Sequence, residues 1–195
     1  MEERRKKLSG GAIFGIIVIA LLVILGAWGI GSYNGLVGLK ETVDNQSSNI
    51  ETQLQRRADL IPNLVNTVKG YTSHESEVLG AISDARAKLS GAGSMSEKAA
   101  ADSELSNAVS RLLVVVENYP NLKADTQFSA LTNELAGTEN RITVARKDYN
   151  ASVREYNQKI KMFPGSIIAG MFGFSSADYF EASESSKEAP VVNFG

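Results

Sequence analysis

Cysteine is absent from this 195-residue chain, and histidine occurs once. The first absence removes disulfides, thiolate metal sites, thiol nucleophiles and lipid attachment at a cysteine. The second leaves little for acid–base or metal chemistry. His74 is followed by Glu75, but no second histidine completes a zinc-protease motif. No Glu-x-x-His pair of the di-iron bundles occurs either. A Gly-x-Ser-x-Gly elbow, a phosphate-binding Gly-x-x-x-x-Gly-Lys-Ser/Thr loop and a dinucleotide fingerprint are also missing. No catalytic residue, cofactor or metal site is therefore expected. Neither sign of charge dominates: the net charge is −2, without the basic excess of nucleic-acid-binding domains, so no nucleic-acid partner is expected. Proline occurs only four times, while Ala, Leu, Ser, Glu and Lys are plentiful, a helical composition.

What is present begins with an apolar run. No residue from Leu8 to Leu39 carries a charge, and Ala12–Ile30 is almost wholly apolar. At ~1.5 Å per residue that run covers roughly 28 Å, close to the hydrocarbon thickness of a bilayer. Trp28 and Tyr33 stand near its far end, where aromatic rings favour the membrane interface. A buried core helix is the alternative, but the segment is apolar on every face and terminal, which favours a span. A cleaved signal peptide would have a shorter run and a better exit than Gly29-Ile30-Gly31. The expected organisation is a basic flank over 1–11, a transmembrane helix over 12–32, a helical domain over 33–174 and a polar, partly disordered tail over 175–195. Arg4, Arg5, Lys6 and Lys7 precede the span, whereas Lys40 is the only basic residue between it and Arg56. The positive-inside rule then puts the N-terminus in the cytoplasm and the domain outside the inner membrane.

Beyond Ser32 the pattern becomes amphipathic. Leu36, Val43, Ile50, Leu54, Ile61 and Val68 form one apolar stripe, which predicts a helix continuing from the span. Pro62 lies inside it and predicts a kink. Gly70 signals a stop, and Thr72 with Glu75 reads as the capping box of a second helix. One helix running through Gly70 is the alternative. Ser90–Ser94 reads as a loop. A third helix is expected over about 96–118, ended by Tyr119-Pro120. A fourth starts near Asp125, and its stripe from Phe128 to Phe163 keeps alternating steps of three and four until Pro164-Gly165.

Helix lengths decide between topologies. At ~1.5 Å per residue, four segments would rise roughly 54 Å, return 26 Å, rise 35 Å and descend 57 Å, ending near the membrane. The predicted fold is therefore all-α: a transmembrane helix continuing into an antiparallel up-and-down four-helix bundle with long first and last helices. The apolar stretch FPGSIIAGMFGF (Phe163–Phe174) is too short to span. It reads either as a cap on the open end of the bundle or, through Phe163, Ile167, Ile168, Phe172 and Phe174, as a membrane-proximal surface touching lipid or a neighbouring copy.

Polar residues interrupt the helices near their cores. Arg56, Arg57, Asp59 and Asn63 surround Pro62. Glu139, Arg146 and the dipeptides Tyr149-Asn150 and Tyr156-Asn157, one heptad apart, lie on the fourth helix. Solvated faces with ion pairs fixing register are one reading. The other is an interface with a second copy or another protein, to which Tyr119 and Pro120 would also belong.

These segments carry a resemblance. QRRADLIPNLVNTVKGYTSHE (Gln55–Glu75), ENYPNLKAD (Glu117–Asp125), ELAGTENRITVARKDYNASVREYNQKI (Glu134–Ile160), FPGSIIAGMFGF and the closing Pro190–Phe194 are similar, in order, to the bacterial LemA family. The resemblance implies an N-terminal membrane helix, an up-and-down helical bundle and no established enzymatic activity. Some relatives carry a lipoprotein cysteine; without one, the helix itself should anchor this chain.

Three functions follow as expectations. The first is a non-enzymatic structural or scaffolding protein that touches the bilayer and forms homo-oligomers. The second is an adaptor or accessory subunit of a membrane protease or envelope assembly, with another membrane protein as partner. The third is an enzyme or small-ligand receptor, which would need a pocket converging on Glu139, Arg146 and Tyr149.

Overall fold

The computed structural model describes residues 10–72 and 75–181. Residues 1–9 of the basic flank, His74 and the closing Pro190–Phe194 lie outside the described residues. Six helices and no strand are found among the described residues: α1 (Gly10–Lys69), α2 (Ser76–Gly91), α3 (Met95–Val116), α4 (Pro120–Lys123), α5 (Thr126–Lys161) and α6 (Gly165–Phe172).

α1 is one helix of 60 residues. Its N-terminal part is long and apolar enough to cross a membrane, and none of it is buried within the chain. From Leu36 the stripe works as expected: Leu36, Val43, Ile50, Leu54, Ile61 and Val68 are all buried. α5 covers that stripe and runs antiparallel to α1. Arg141 Nε donates to Gln53 Oε1 at 3.2 Å, and Arg56 pairs with Glu134 at 3.5 Å. Further along, Tyr71 OH donates to Asp125 Oδ2 at 2.7 Å. α2 and α3 form a hairpin packed on the distal part of this pair, with Lys88 bonded to Glu104 at 2.6 Å near its turn. The unevenness expected from helix lengths is real: the α2–α3 hairpin meets the distal part of α1, and the α1–α5 spine continues below it.

The ends of the helices show where local chemistry differs from expectation. α1 does stop at Lys69, but Gly70 is not left-handed; the only positive φ among the described residues is at Gly173. The last turn instead tightens through Gly70 N–H to Thr67 O at 3.2 Å and Tyr71 N–H to Val68 O at 2.9 Å. The expected capping box at Thr72 does not form. α2 starts four residues later, at Ser76, and the Thr72 hydroxyl bonds back to Val68 O at 3.3 Å. Glu75 meanwhile accepts from Tyr119 OH at 2.8 Å, so a tertiary contact displaces the local cap. The real box is at α3, where Ser94 and Glu97 satisfy one another's backbone N–H groups. Asp125 caps α5 by accepting from Phe128 N–H at 2.8 Å. Pro120 opens α4, where its missing N–H costs nothing.

Pro62 interrupts the hydrogen-bond ladder of α1 but not the helix. Without an N–H it cannot satisfy the carbonyl four residues earlier, that of Ala58. Arg86 of α2 fills the gap, donating Nε–H to Ala58 O at 2.9 Å. The proline thus creates an acceptor on a buried helix face, and α2 is docked by it. Arg86→Leu should destabilise the folded head by about 1–3 kcal/mol, the cost of an unsatisfied buried carbonyl. In a Pro62→Ala background, which restores the N–H, the same change should cost much less. Denaturant unfolding of the four proteins in detergent measures the coupling; equal costs in both backgrounds would show that Arg86 acts by packing alone.

Candidate functional site

The polar residues singled out from the sequence separate into three places. The first is internal. Arg57 is 4% exposed and lies on the stripe of α1 that faces α3 and α5. Its Nη1 donates to Asp102 Oδ1 at 2.7 Å and forms an ion pair with Glu139 Oε2 at 2.5 Å, joining three helices. Ser106 adds a bond to Glu139 at 3.3 Å. Asp102 was not singled out from the sequence. Its signal was available: it is an acid beside Ala101 and Leu105 on the otherwise apolar inner face of α3. Burial pushes the Asp102 carboxyl above its ordinary range, Arg57 opposes that rise, and Glu139 adds to it. Arg146 is half-buried close enough to act on Asp102 electrostatically.

The second place is the lower half of α5, where the chain after α6 lies along the helix as an extended strap. Asn157 donates to Ala177 O at 2.8 Å and accepts from Ala177 N–H at 2.9 Å. Asn150 does the same with Phe180, both bonds at 2.9 Å. Tyr156 OH donates to Ser175 O at 2.9 Å and Tyr149 OH to Asp178 O at 2.8 Å. Each asparagine amide, one donor and one acceptor in a plane, stands in for a peptide group of a neighbouring strand. The spacing explains why the motif repeats after seven. Seven helical residues rise ~10.5 Å, and three extended residues cover about 10 Å. Residues 175–181 are therefore part of the folded unit rather than the start of a polar tail, and Phe180 is 1% exposed. The two aromatics of SSADYFE were the sequence signal for this.

The third place is the surface. Arg56, Asp59, Pro62 and Asn63 lie exposed along one side of α1, with Gln55 donating to Asp59 at 2.7 Å. Tyr119 is half-buried and Pro120 exposed at the distal tip. At the other end, the Tyr33 ring packs tilted against Phe172, with ring centres 4.8 Å apart, and edge-on against Phe174 at 5.7 Å. Ile168 is buried, while Trp28, Phe163, Ile167 and Phe172 are exposed. Phe163 departs from the predicted stripe because α5 ends at Lys161, so helical spacing no longer directs its side chain. Glu139 and Tyr149 do not converge on a pocket: one is held by Arg57, the other by the strap. No group of three acidic or histidine side chains able to hold a metal ion occurs among the described residues.

A helical protein with one apolar helix of membrane length fits a membrane-associated protein. The chain belongs to the LemA family, whose profile matches residues 46–194. It is similar to magnetosome protein MamQ 2 of Paramagnetospirillum magneticum, with 27% identity over 220 aligned residues covering 98% of this chain and 80% of that one. MamQ of Magnetospirillum gryphiswaldense is 25% identical with the same coverage. Protein LemA of Metamycoplasma hominis is 26% identical over 156 residues, 80% of this chain and 71% of its own length. None of these names denotes an enzymatic activity.

Two predictions test the internal contacts. Asn150→Ala with Asn157→Ala should release the strap, abolishing hydrogen-exchange protection of the Ala177 and Phe180 amides while the α1–α5 amides stay protected. Retained protection would mean that Phe180 alone holds the strap. The raised carboxyl of Asp102 makes a contribution present in full below the ordinary aspartate value and lost as pH rises towards the raised one. The stability of the native chain relative to Asp102→Asn should therefore fall through the weakly acid range and then level off. A difference that grows with pH, followed by denaturant unfolding at several pH values, would show that Arg57 outweighs burial.

Proposed function

We propose that the protein is a non-enzymatic, membrane-anchored scaffold of the bacterial envelope that self-associates through its helical bundle. The observation that supports this is the single helix that passes without a break from the apolar span into a head braced by α5. Such a stiff link holds a surface at a fixed height and angle above a bilayer, which suits assembly better than turnover. The lateral faces of the head also keep apolar side chains in the open: Val114 is 72% exposed and Val144 60%. By the charge flanks, the head lies outside the cytoplasm and the N-terminus inside.

A second reading makes the protein an accessory subunit of a membrane protease or another envelope assembly. The exposed row Arg56, Asp59, Pro62 and Asn63 favours it, since those residues are not drawn into the core.

An impermeant amine-reactive crosslinker added to spheroplasts should reach Lys88, Lys123 and Lys147 of the head and yield homo-oligomeric adducts. Modified protein that stays monomeric would remove self-association, and an unmodified head would reverse the orientation. A single adduct of another mass, lost in Asp59→Lys, would instead support the accessory subunit.

A further inference from the structure

The membrane end of the head has an apolar surface that none of the described residues covers. Phe163 is 79% exposed, Met171 72%, Phe172 58% and Ile167 51%. No residue from Met162 to Ala177 carries a charge. α6 is apolar on both sides: Ile168 and Ala169 are buried in the core, whereas Ile167 and Met171, one turn apart, face outward. A surface helix on a soluble head would carry polar residues on that outer face.

Its position says what covers it. α6 packs against α1 and α5, and the rings of Phe172 and Phe174 pack against Tyr33. Tyr33 is three residues beyond Ile30, the end of the dense apolar run, so it stands only ~4–5 Å further along the helix axis. The open side chains of α6 are thus at the level where α1 leaves the hydrocarbon. Lys159 and Lys161, both exposed, close the last turn of α5 just before this surface. Basic residues flanking an apolar face are the pattern of a segment lying in a membrane interface.

We propose that α6 and the turn before it form a second, non-spanning membrane contact. Phe163, Ile167, Met171 and Phe172 enter the boundary between headgroups and acyl chains, with Lys159 and Lys161 among the phosphates. This rests on α1 being the membrane span. The second contact fixes the rotation of the head about the axis of α1, which the span alone leaves free. Gly173, at φ 74°, turns the chain out of α6, where Phe174 N–H bonds Ala169 O at 3.0 Å. The strap then climbs away from the bilayer along α5.

The chain contains no cysteine, so a single introduced one gives a unique spin label. Phe163→Cys, Ile167→Cys and Met171→Cys would be labelled in the full-length protein, reconstituted in vesicles of phosphatidylethanolamine and phosphatidylglycerol. Lys88→Cys, an exposed site on α2, serves as a water reference and Ile19→Cys as a span reference. Collision with oxygen should dominate at the three α6 sites, and collision with a water-soluble nickel chelate should be several-fold lower than at Lys88. Nickel access equal to that at Lys88 would overturn the proposal by placing α6 in water. Shielding from both reagents would overturn it in favour of a protein partner, including a second copy. Nickel access at Ile19 would show that the span itself is misread, a failure distinct from the other two.

Discussion

A helix that leaves a bilayer and continues into water must change from apolar on all sides to apolar along one stripe. The architecture follows from how that stripe is covered. α5 is long because α1 is long, and it must reach back to the level of Leu36 to bury it. The α2–α3 hairpin widens only the distal part. Below it two helices alone cannot enclose a core, and the strap supplies the missing cover with Phe180 and the backbone of residues 175–181. The hydrophobic term favours each of these coverings, but polar contacts decide their register.

Those contacts carry a cost as well as a benefit. Burying Arg57 removes a charge from water, and two carboxylates from separate helices offset that penalty without removing it. An apolar residue of similar volume would pack as well but would not specify which turn of α3 and of α5 must meet which turn of α1. The Ala58 carbonyl works in the same way: a defect in one helix becomes a specific acceptor for another.

Much of this was legible in the sequence. The stripe of α1 and the stripe of α5 from Phe128 to Ile160 follow from periodicity, which directly encodes which side of a helix is buried. Length arithmetic supplied the antiparallel return of the last long helix along the first, because helix rise is nearly constant. The failures share a cause. At Thr72 a local cap was outcompeted by a contact from Tyr119, 44 residues from Glu75. At Tyr149-Asn150 and Tyr156-Asn157 the repeat was visible, but its partner was a strap whose period is three rather than seven. Asp102 could be paired with Arg57 only once the helices were in place. Local signals thus specified elements and faces, while the polar pairings across elements needed the fold.

The strap has a mechanical side. Its two rungs sit one above the other along α5, joined by extended backbone with little slack. Tension applied along the helix axis loads both asparagine pairs and both tyrosine bonds at once, in shear. Tension applied outward loads them one after another, as in peeling. The same six hydrogen bonds therefore resist a pull along the rod far better than a pull away from it, and the direction of a load on the C-terminal segment decides whether the strap holds or opens.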